Sequence, residues 1–105
     1  SYAGMPDGEY TLGGQPIEMK NGKATLKGSD TLAGSSISVL RAVQNVVGFG
    51  VELEKAVYAA TMAPAKVIGM EDKIGSIAAG KYADFLILDD NLNLEAVYIG
   101  GKQYY

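Results

Sequence analysis

The sequence predicts an α+β architecture in which strands come first, helices follow, and strands return at the end. Three observations predict this order. Apolar and polar residues alternate on both sides of Asn21-Gly22, which is the pattern of a β-hairpin. The apolar spacing changes to a helical period from Ser36, and after Gly75 it returns to a period of two or less.

Turn-forming residues dominate the segment up to Gly14, which predicts a loop with one extended piece from Glu9 to Leu12. A hairpin follows, because Asn21-Gly22 favours the positive φ angles that a type I′ turn requires. The apolar positions of its two strands are Ile17, Met19, Ala24 and Leu26.

A first helix is predicted from Ser36 to about Val47. Ser35 or Ser36 is expected to cap its start, and Gly48 and Gly50 are expected to end it. Its apolar residues are Ile37, Val39, Leu40, Ala42, Val43, Val46 and Val47. A stripe this broad predicts a helix that is mostly buried.

A second helix is predicted from about Glu52 to Met62, with acidic residues in its first turn, where the helix dipole favours negative charge. Pro64 breaks the chain and opens a short third helix, Pro64 to Ile68, which ends at Gly69. The apolar stripe of the second helix consists of Leu53, Ala56, Val57 and Ala60.

The C-terminal segment predicts antiparallel strands. The continuous apolar run from Phe85 to Leu88 predicts a strand that is buried on both faces, or nearly so. A second strand is predicted from Leu92 to Ile99. A turn at Gly100-Gly101 then leads into a short returning strand from Lys102 to Tyr105.

Composition excludes several classes of function. The 105 residues include no cysteine and no histidine, which removes disulfides, thiolate nucleophiles and the commonest metal ligands. A net charge of −3 gives no electrostatic footprint for nucleic acid or an anionic membrane. No apolar stretch reaches the roughly 20 residues that span a bilayer. We therefore expect no nucleic-acid partner and no membrane partner.

Few residues in this composition suggest chemistry of their own. The acidic pairs Asp89-Asp90 and Glu71-Asp72 flank predicted elements, and we interpret them as solvated turn residues rather than cation ligands. The glycines from Gly28 to Gly34 lack the Gly-Lys-Ser/Thr ending of a phosphate-binding loop. Taken alone, these residues favour a binding or structural role.

Several segments resemble a known enzyme superfamily. The segment from Gly75 to Asp89, GSIAAGKYADFLILD, resembles the C-terminal signature of the amidohydrolase superfamily. The segment from Ala59 to Gly69, AATMAPAKVIG, is similar to another motif of that superfamily. Three further segments resemble, more narrowly, the N-acetylglucosamine-6-phosphate deacetylases: DGEYTLGG at Asp7 to Gly14, TLAGS at Thr31 to Ser35, and VQNVV at Val43 to Val47.

The resemblance implies an α/β fold class: the C-terminal part of a TIM-barrel amidohydrolase, with the last barrel helix and the helices after it, plus strands of a small β-sandwich domain. Residues 1–74 are implied to form the end of the (β/α)8 barrel, with a β-hairpin in the loop after the last strand. Residues 75–105 are implied to supply C-terminal strands of the sandwich. We therefore expect a fragment that is inactive on its own, poorly stable and prone to self-association.

The parent enzyme implied by the resemblance deacetylates N-acetylglucosamine 6-phosphate to glucosamine 6-phosphate and acetate with a divalent metal (zinc or iron). It would act in amino-sugar catabolism in the cytoplasm. The family's metal ligands and catalytic aspartate match no position of this chain, so no catalytic and no metal-binding residue is expected in it. Asp7 matches a turn position of the family. The implied partners are the amino-sugar phosphate substrate, the remainder of the same enzyme chain, and further copies in a homo-oligomer.

One element of the family's substrate site matches this chain. Leu32, Ala33 and Gly34 match a loop that contacts the amino-sugar phosphate, largely through backbone groups, and small residues let the main chain approach a ligand closely. The same stretch is also interpreted as the turn before a helix capped by Ser35, whose free N–H groups favour anions. Asp30 departs from the glycine usual in the family, which affects the expected fine specificity.

Two alternative functions stay open on the sequence alone. The first is another amidohydrolase with a cyclic amide or nucleobase as substrate, against which the TLAGS and DGEYTLGG segments speak. The second is a stand-alone binding or scaffold module without enzymatic activity. An upstream reading frame that encodes a barrel with an H-x-H motif would exclude the second.

Overall fold

The computed structural model describes residues 3–105, which form two compact units, one up to Ala42 and one comprising residues 43–105. Strands, helices and strands follow one another in the predicted order. The elements are β1 (Gly8–Leu12), β2 (Gln15–Lys20), β3 (Lys23–Leu26), β4 (Leu32–Gly34), α1 (Val39–Gly48), α2 (Leu53–Ala60), α3 (Met62–Val67), β5 (Phe85–Leu88), β6 (Leu94–Ile99) and β7 (Lys102–Gln103). The assignment of residues 1–74 to a barrel and 75–105 to a sandwich stays a prediction.

The first unit is a four-stranded antiparallel sheet in the order β1-β2-β3-β4. The hairpin prediction is confirmed, since Asn21 and Gly22 have φ angles of 50° and 71° and form the two-residue turn between β2 and β3. Alternation places Ile17, Met19 and Ala24 on one face, where they form the buried core. Ile17 is only 1% exposed.

The start of α1 differs from the prediction. The helix begins at Val39, and its cap is Ser38, whose Oγ accepts a hydrogen bond from the backbone N–H of Arg41 at 3.1 Å. Ser35 instead accepts from the N–H of Ile37 in a tight turn before the helix. Three serines close together make the capping position ambiguous in the sequence, and only the backbone path decides which one caps.

The end of α1 confirms the predicted glycine stop. Gly50 has a φ of 99°, and its N–H donates to the carbonyl of Val47, while the N–H of Val51 donates to the carbonyl of Val46. This pair of bonds is a Schellman motif, which satisfies carbonyls that the helix leaves unpaired.

The expectation that α1 is mostly buried is wrong for this chain. Val43 is its one buried residue, and Val39 is 67% exposed. A broad apolar stripe is buried only where another element packs along it, and residues 3–105 do not supply enough packing surface to cover this one.

The boundary between the second and third helices lies two residues before the predicted one. Thr61, with a φ of −129°, separates α2 from α3, so α3 already contains Met62 and does not begin at Pro64. Pro64 lies at the third position of α3, where a missing backbone N–H costs no helical hydrogen bond. Gly69 ends α3 as predicted, with a φ of 67°.

An irregular segment joins α3 to β5, and Gly75 packs tightly against the helices. A Cβ atom at Gly75 would lie 3.0 Å from the Cα of Met62 and 3.0 Å from the Cβ of Ala65. Gly75 also has a φ of 88°, in the left-handed region that favours glycine. Both requirements are met only without a side chain.

Lys81 holds the same irregular segment together. Its ammonium group donates to the carbonyl of Glu71, to the carbonyl of Ile74 at 3.3 Å, and to the Oγ of Ser76 at 2.7 Å. Three acceptors from one segment suit the three donors of an ammonium group. The sequence alone indicates no role for this lysine.

The second sheet is antiparallel in the order β5-β6-β7. β5 has its predicted bounds, but the expectation that both its faces are buried is wrong. The consecutive residues Leu86 and Ile87 point to opposite faces and are 47% and 42% exposed. Three strands form one thin layer, and burial of both faces requires further layers that the described residues do not provide.

The last two strands are shorter than predicted. β6 begins at Leu94 because Leu92 has a φ of 63°, which no strand residue adopts. β7 ends at Gln103, yet Tyr104 still donates its N–H to the carbonyl of Val97 at 2.8 Å. The turn at Gly100-Gly101 is confirmed, with φ angles of 57° and 78°.

Candidate functional site

The three residues predicted to contact substrate form the edge strand β4. Gly34 pairs with Ala24 and Leu32 pairs with Thr25, and a bulge separates the two pairs. Ala33 packs against the buried core of the sheet, whereas Leu32 is 67% exposed. Because β3 is the only strand beside β4 in the described sheet, the other edge of β4 is open.

At Gly34 the backbone of this edge is accessible to a ligand, because no side chain covers it. Gly34 is exposed, and a Cβ atom built on it would meet nothing within 4 Å among the described residues. Gly34 is not among the residues with a positive φ, so its backbone conformation is open to other residues. The glycine is therefore required neither by packing nor by the turn within this unit.

The start of a helix does not lie at this strand. α1 begins at Val39, five residues beyond Gly34, and Ser38 accepts from one of its first N–H groups. The interpretation of Leu32, Ala33 and Gly34 as the turn next to a helix capped by Ser35 is wrong. Contact with an anion at this edge would use strand backbone groups rather than a helix terminus.

No group of three or more His, Cys, Asp or Glu residues able to hold a metal ion exists between residues 3 and 105. Asp7 has a structural contact, since its Oδ2 accepts the backbone N–H of Asn21 at 3.0 Å and ties the entrance of β1 to the hairpin turn. This contact agrees with the interpretation of Asp7 as a turn residue.

Asp89 organises the loop between β5 and β6. Its Oδ1 accepts the backbone N–H groups of Asn91 and Asn93, both at 2.8 Å, and its Oδ2 accepts the side-chain amide of Asn93 at 2.9 Å. The amide of Gln44 donates to the carbonyl of Leu92 at 2.7 Å and fixes the same loop from α1. Asp89 is thus a turn residue, as the sequence suggests.

These bonds lower the pKa of Asp89 below its ordinary value, with the side-chain amide of Asn93 as the main cause. The unfolded chain has the ordinary carboxyl pKa of about 3.9. A carboxylate whose pKa is lower in the folded state stabilises the fold fully above that pH. The contribution is lost as pH falls through the folded pKa.

Replacing Asn93 with alanine is expected to raise the pKa of Asp89, because the largest of the stabilising hydrogen bonds is removed. The measurement is an NMR titration of the Asp89 carboxyl carbon. Asn91→Ala is the matched control, since Asn91 contacts Asp89 only through its backbone. An unchanged titration in Asn93→Ala would show that the side-chain bond is not formed in solution.

Comparison with known proteins assigns this fold. The sequence profile described as "Amidohydrolase family" matches residues 16–104. The chain belongs to the amidohydrolase family. The match extends from β2 through β7 and includes the segment around Gly75 and Lys81.

Curated amidohydrolases similar to this chain act on amino-sugar phosphates by name. N-acetylgalactosamine-6-phosphate deacetylase of Escherichia coli O157:H7 is 40% identical over 101 residues, which cover 95% of this chain and 26% of that protein. Human N-acetylglucosamine-6-phosphate deacetylase is 36% identical over 100 residues, which cover 94% of this chain and 24% of that protein. The chain therefore spans about a quarter of the length of these relatives.

Solved amidohydrolase structures share the fold. N-acetylglucosamine-6-phosphate deacetylase from Pasteurella multocida superposes with a TM-score of 0.88 at 27% identity, covering 99% of this chain and 27% of that one. A mutant of the Mycobacterium smegmatis enzyme in complex with N-acetyl-D-glucosamine-6-phosphate gives a TM-score of 0.82 at 32% identity, covering 98% of this chain and 28% of that one.

Among residues 3–105, the helices are too short or too polar to cross a membrane.

Proposed function

We propose that this chain is the C-terminal part of a deacetylase that hydrolyses the acetamido group of an N-acetylated hexosamine 6-phosphate. The match of nearly the whole chain to deacetylases of this class carries the proposal. Water adds to the amide carbonyl, the C–N bond breaks, and acetate and the free amino sugar phosphate leave. N-acetylglucosamine 6-phosphate is the substrate that the sequence motifs favour. The relative from E. coli makes its galacto epimer the second candidate.

Residues 1–74 would close the amidohydrolase barrel, and residues 75–105 would supply strands to a small β-sandwich. The exposed apolar residues support this arrangement, because Val39 on α1 and Leu86 and Ile87 on β5 lie uncovered within the described chain. Large apolar residues left open are typical of surfaces that a further part of the protein covers. The parent would act in the cytoplasm, as a homo-oligomer.

The substrate would lie along the open edge of β4. Strand backbone N–H groups there can donate to phosphate or hydroxyl oxygens, and Gly34 leaves room for a close approach. Asp30 precedes this edge by two residues and would influence which sugar hydroxyl groups are accepted.

The divalent metal of the parent, zinc or iron, would be held outside this chain. The residues described here do not fit a metal, since no suitable cluster of ligands occurs among them and the sequence has neither cysteine nor histidine. We expect the 105-residue chain alone to retain no stoichiometric metal and to release no acetate.

The test is acetate release by the parent enzyme from N-acetylglucosamine 6-phosphate and from N-acetylgalactosamine 6-phosphate, with unphosphorylated N-acetylglucosamine as control. We expect turnover of at least one phosphorylated epimer and little of the control, together with loss of activity after chelation. Turnover of a cyclic amide or a nucleobase in place of both phosphates would overturn the proposal.

Replacing Gly34 with valine in the parent is expected to raise KM about tenfold and to change kcat by less than about twofold. A branched side chain at the open edge would keep substrate away from the backbone, in the ground and transition states alike. Folding should change little, because the added Cβ meets no described atom within 4 Å. Steady-state kinetics and a thermal melt of the same variant measure both effects.

Ala56→Val is the control for this substitution. Ala56 is buried in α2, so the added methyl groups should lower stability through overpacking and leave KM unchanged. If Gly34→Val melts early and keeps a normal KM, the edge of β4 is structural and the proposed substrate contact is wrong.

A further inference from the structure

The outer face of the β2–β3 hairpin carries an unusual arrangement of charge. The two-residue turn places Lys20 directly opposite Lys23, and like charges in register across two strands destabilise a sheet. Neither ammonium group forms an ion pair with any residue between 3 and 105. The turn therefore places two lysines opposite each other, and neither is in an ion pair with a described residue.

These lysines line a groove with a volume of about 310 Å³, together with the acidic residues Glu18 and Asp30 and the polar residue Thr25. Glu18 and Lys20 are two positions apart on the face opposite the core, because Ile17 and Met19 point inward. Residues so spaced lie about 7 Å apart along a strand. The groove thus has a cationic end and a carboxylate in reach of it.

This pattern discriminates between classes of ligand. A simple anion would gain from the lysines but would be repelled by Glu18 and Asp30, and a simple cation would meet the opposite balance. A small molecule with a negative group and a positive group on opposite sides would satisfy both ends. The polar lining and the small volume exclude a large apolar ligand.

We propose that this groove binds a zwitterionic phosphate ester, with its phosphate between Lys20 and Lys23 and its ammonium group at Glu18 and Asp30. A hexosamine 6-phosphate has this charge pattern, because its amino and phosphate groups lie on opposite sides of the sugar ring. The N-acetylated form lacks the positive charge, so the site distinguishes the deacetylated sugar from its precursor. The identity of the ligand as a hexosamine phosphate rests on the proposed function. The presence of both positive and negative side chains in the groove does not depend on it.

The binding test uses the full parent enzyme, labelled with ¹⁵N at lysine, and follows the amide signals of Lys20 and Lys23. Three ligands are titrated: glucosamine 6-phosphate, glucose 6-phosphate, which lacks the amino group, and inorganic phosphate. We expect glucosamine 6-phosphate to bind more tightly than the other two, with an affinity that weakens as salt screens the charges.

Two double variants separate the ends of the groove. Lys20→Gln/Lys23→Gln is expected to lower the affinity for glucosamine 6-phosphate and for glucose 6-phosphate about fivefold to tenfold. This range agrees with the modest strength of exposed ion pairs. Here binding is followed at the signals of Asn21 and Gly22 under ¹⁵N labelling of all residues. Glu18→Gln/Asp30→Asn is expected to lower only the affinity for glucosamine 6-phosphate, until it equals the affinity for glucose 6-phosphate. Lys55→Gln/Lys102→Gln removes two positive charges elsewhere and should leave all three titrations unchanged.

Two results would overturn the site. The first is the absence of any shift of the hairpin signals with glucosamine 6-phosphate, and the second is binding of inorganic phosphate as tight as that of the amino sugar phosphate. Because binding is followed at the hairpin without turnover, failure of the proposed function is seen separately, as a parent that binds glucosamine 6-phosphate here and releases no acetate.

Discussion

Replacing Gly75 with alanine is expected to destabilise residues 43–105 by about 2–5 kcal/mol. Two costs add. An L-residue at a φ of 88° is strained, and the new methyl group would lie 3.0 Å from both the Cα of Met62 and the Cβ of Ala65. The backbone at Met62 belongs to α3 and cannot move without distorting that helix. Denaturant unfolding of the parent measures the loss.

Gly80→Ala separates the two costs. Gly80 has a φ of 87°, almost identical to that of Gly75, but a Cβ there meets nothing within 4 Å among the described residues. We expect the free energy of unfolding of this variant to fall by about 1–2 kcal/mol, the cost of backbone strain alone. Equal losses for the two variants would mean that Gly75 does not pack against the helices as the structure has it.

Replacing Ile17 with alanine is expected to cost about 2–5 kcal/mol, the range for deleting a large aliphatic side chain from a core. Ile17 is the largest fully buried side chain of the described residues, and the core around it is small, with Met19 and Ala24 as its other buried members. Few neighbours can shift to fill the cavity. Loss of the edge strand β4 is expected to follow, since Ala33 packs on this core.

Leu12→Ala provides the comparison for Ile17→Ala. Leu12 also lies on a strand of this sheet but is 46% exposed, so its truncation should cost less than about 1 kcal/mol. Hydrogen exchange of the β2 and β3 amides measures both variants in the same unit. A loss for Ile17→Ala no larger than that for Leu12→Ala would show that the sheet is not held by its core.

Local structure could be predicted where one or two residues determine the backbone. Asn21-Gly22 and Gly100-Gly101 require positive φ angles that few other pairs adopt, so both turns were predictable without any tertiary contact. Gly50 and Gly69 ended their helices for the same reason. The cap of α1 was not predictable, because Ser35, Ser36 and Ser38 have the same chemistry and differ only in where the chain turns.

Burial could not be predicted from the same patterns. The stripes of α1 and β5 indicate which residues favour an apolar environment, and they do not indicate whether the chain itself supplies one. Val39 and Leu86 remain exposed for this reason. The resemblance located the candidate site at Leu32, Ala33 and Gly34, and the structure adds that these residues form an open strand edge.

Part of the charged groove was predictable from the sequence. A two-residue turn fixes the register of the strands beside it, so Lys20 had to face Lys23 once Asn21-Gly22 was recognised. The contribution of Asp30 was not predictable, since it depends on how the chain returns toward the hairpin before β4. The role of Lys81 was likewise not predictable, because its hydrogen-bond acceptors are mostly backbone carbonyls.

Every strand of both sheets pairs with its neighbour in sequence, in the orders β1-β2-β3-β4 and β5-β6-β7. Loop closure between such strands costs little entropy, and chains rich in local contacts fold rapidly. The first sheet is complete at Gly34, so during synthesis it can form while the following residues are still being added by the ribosome. The candidate substrate strand, as the last member of that sheet, would then be in place before the second sheet, which begins at Phe85, is complete.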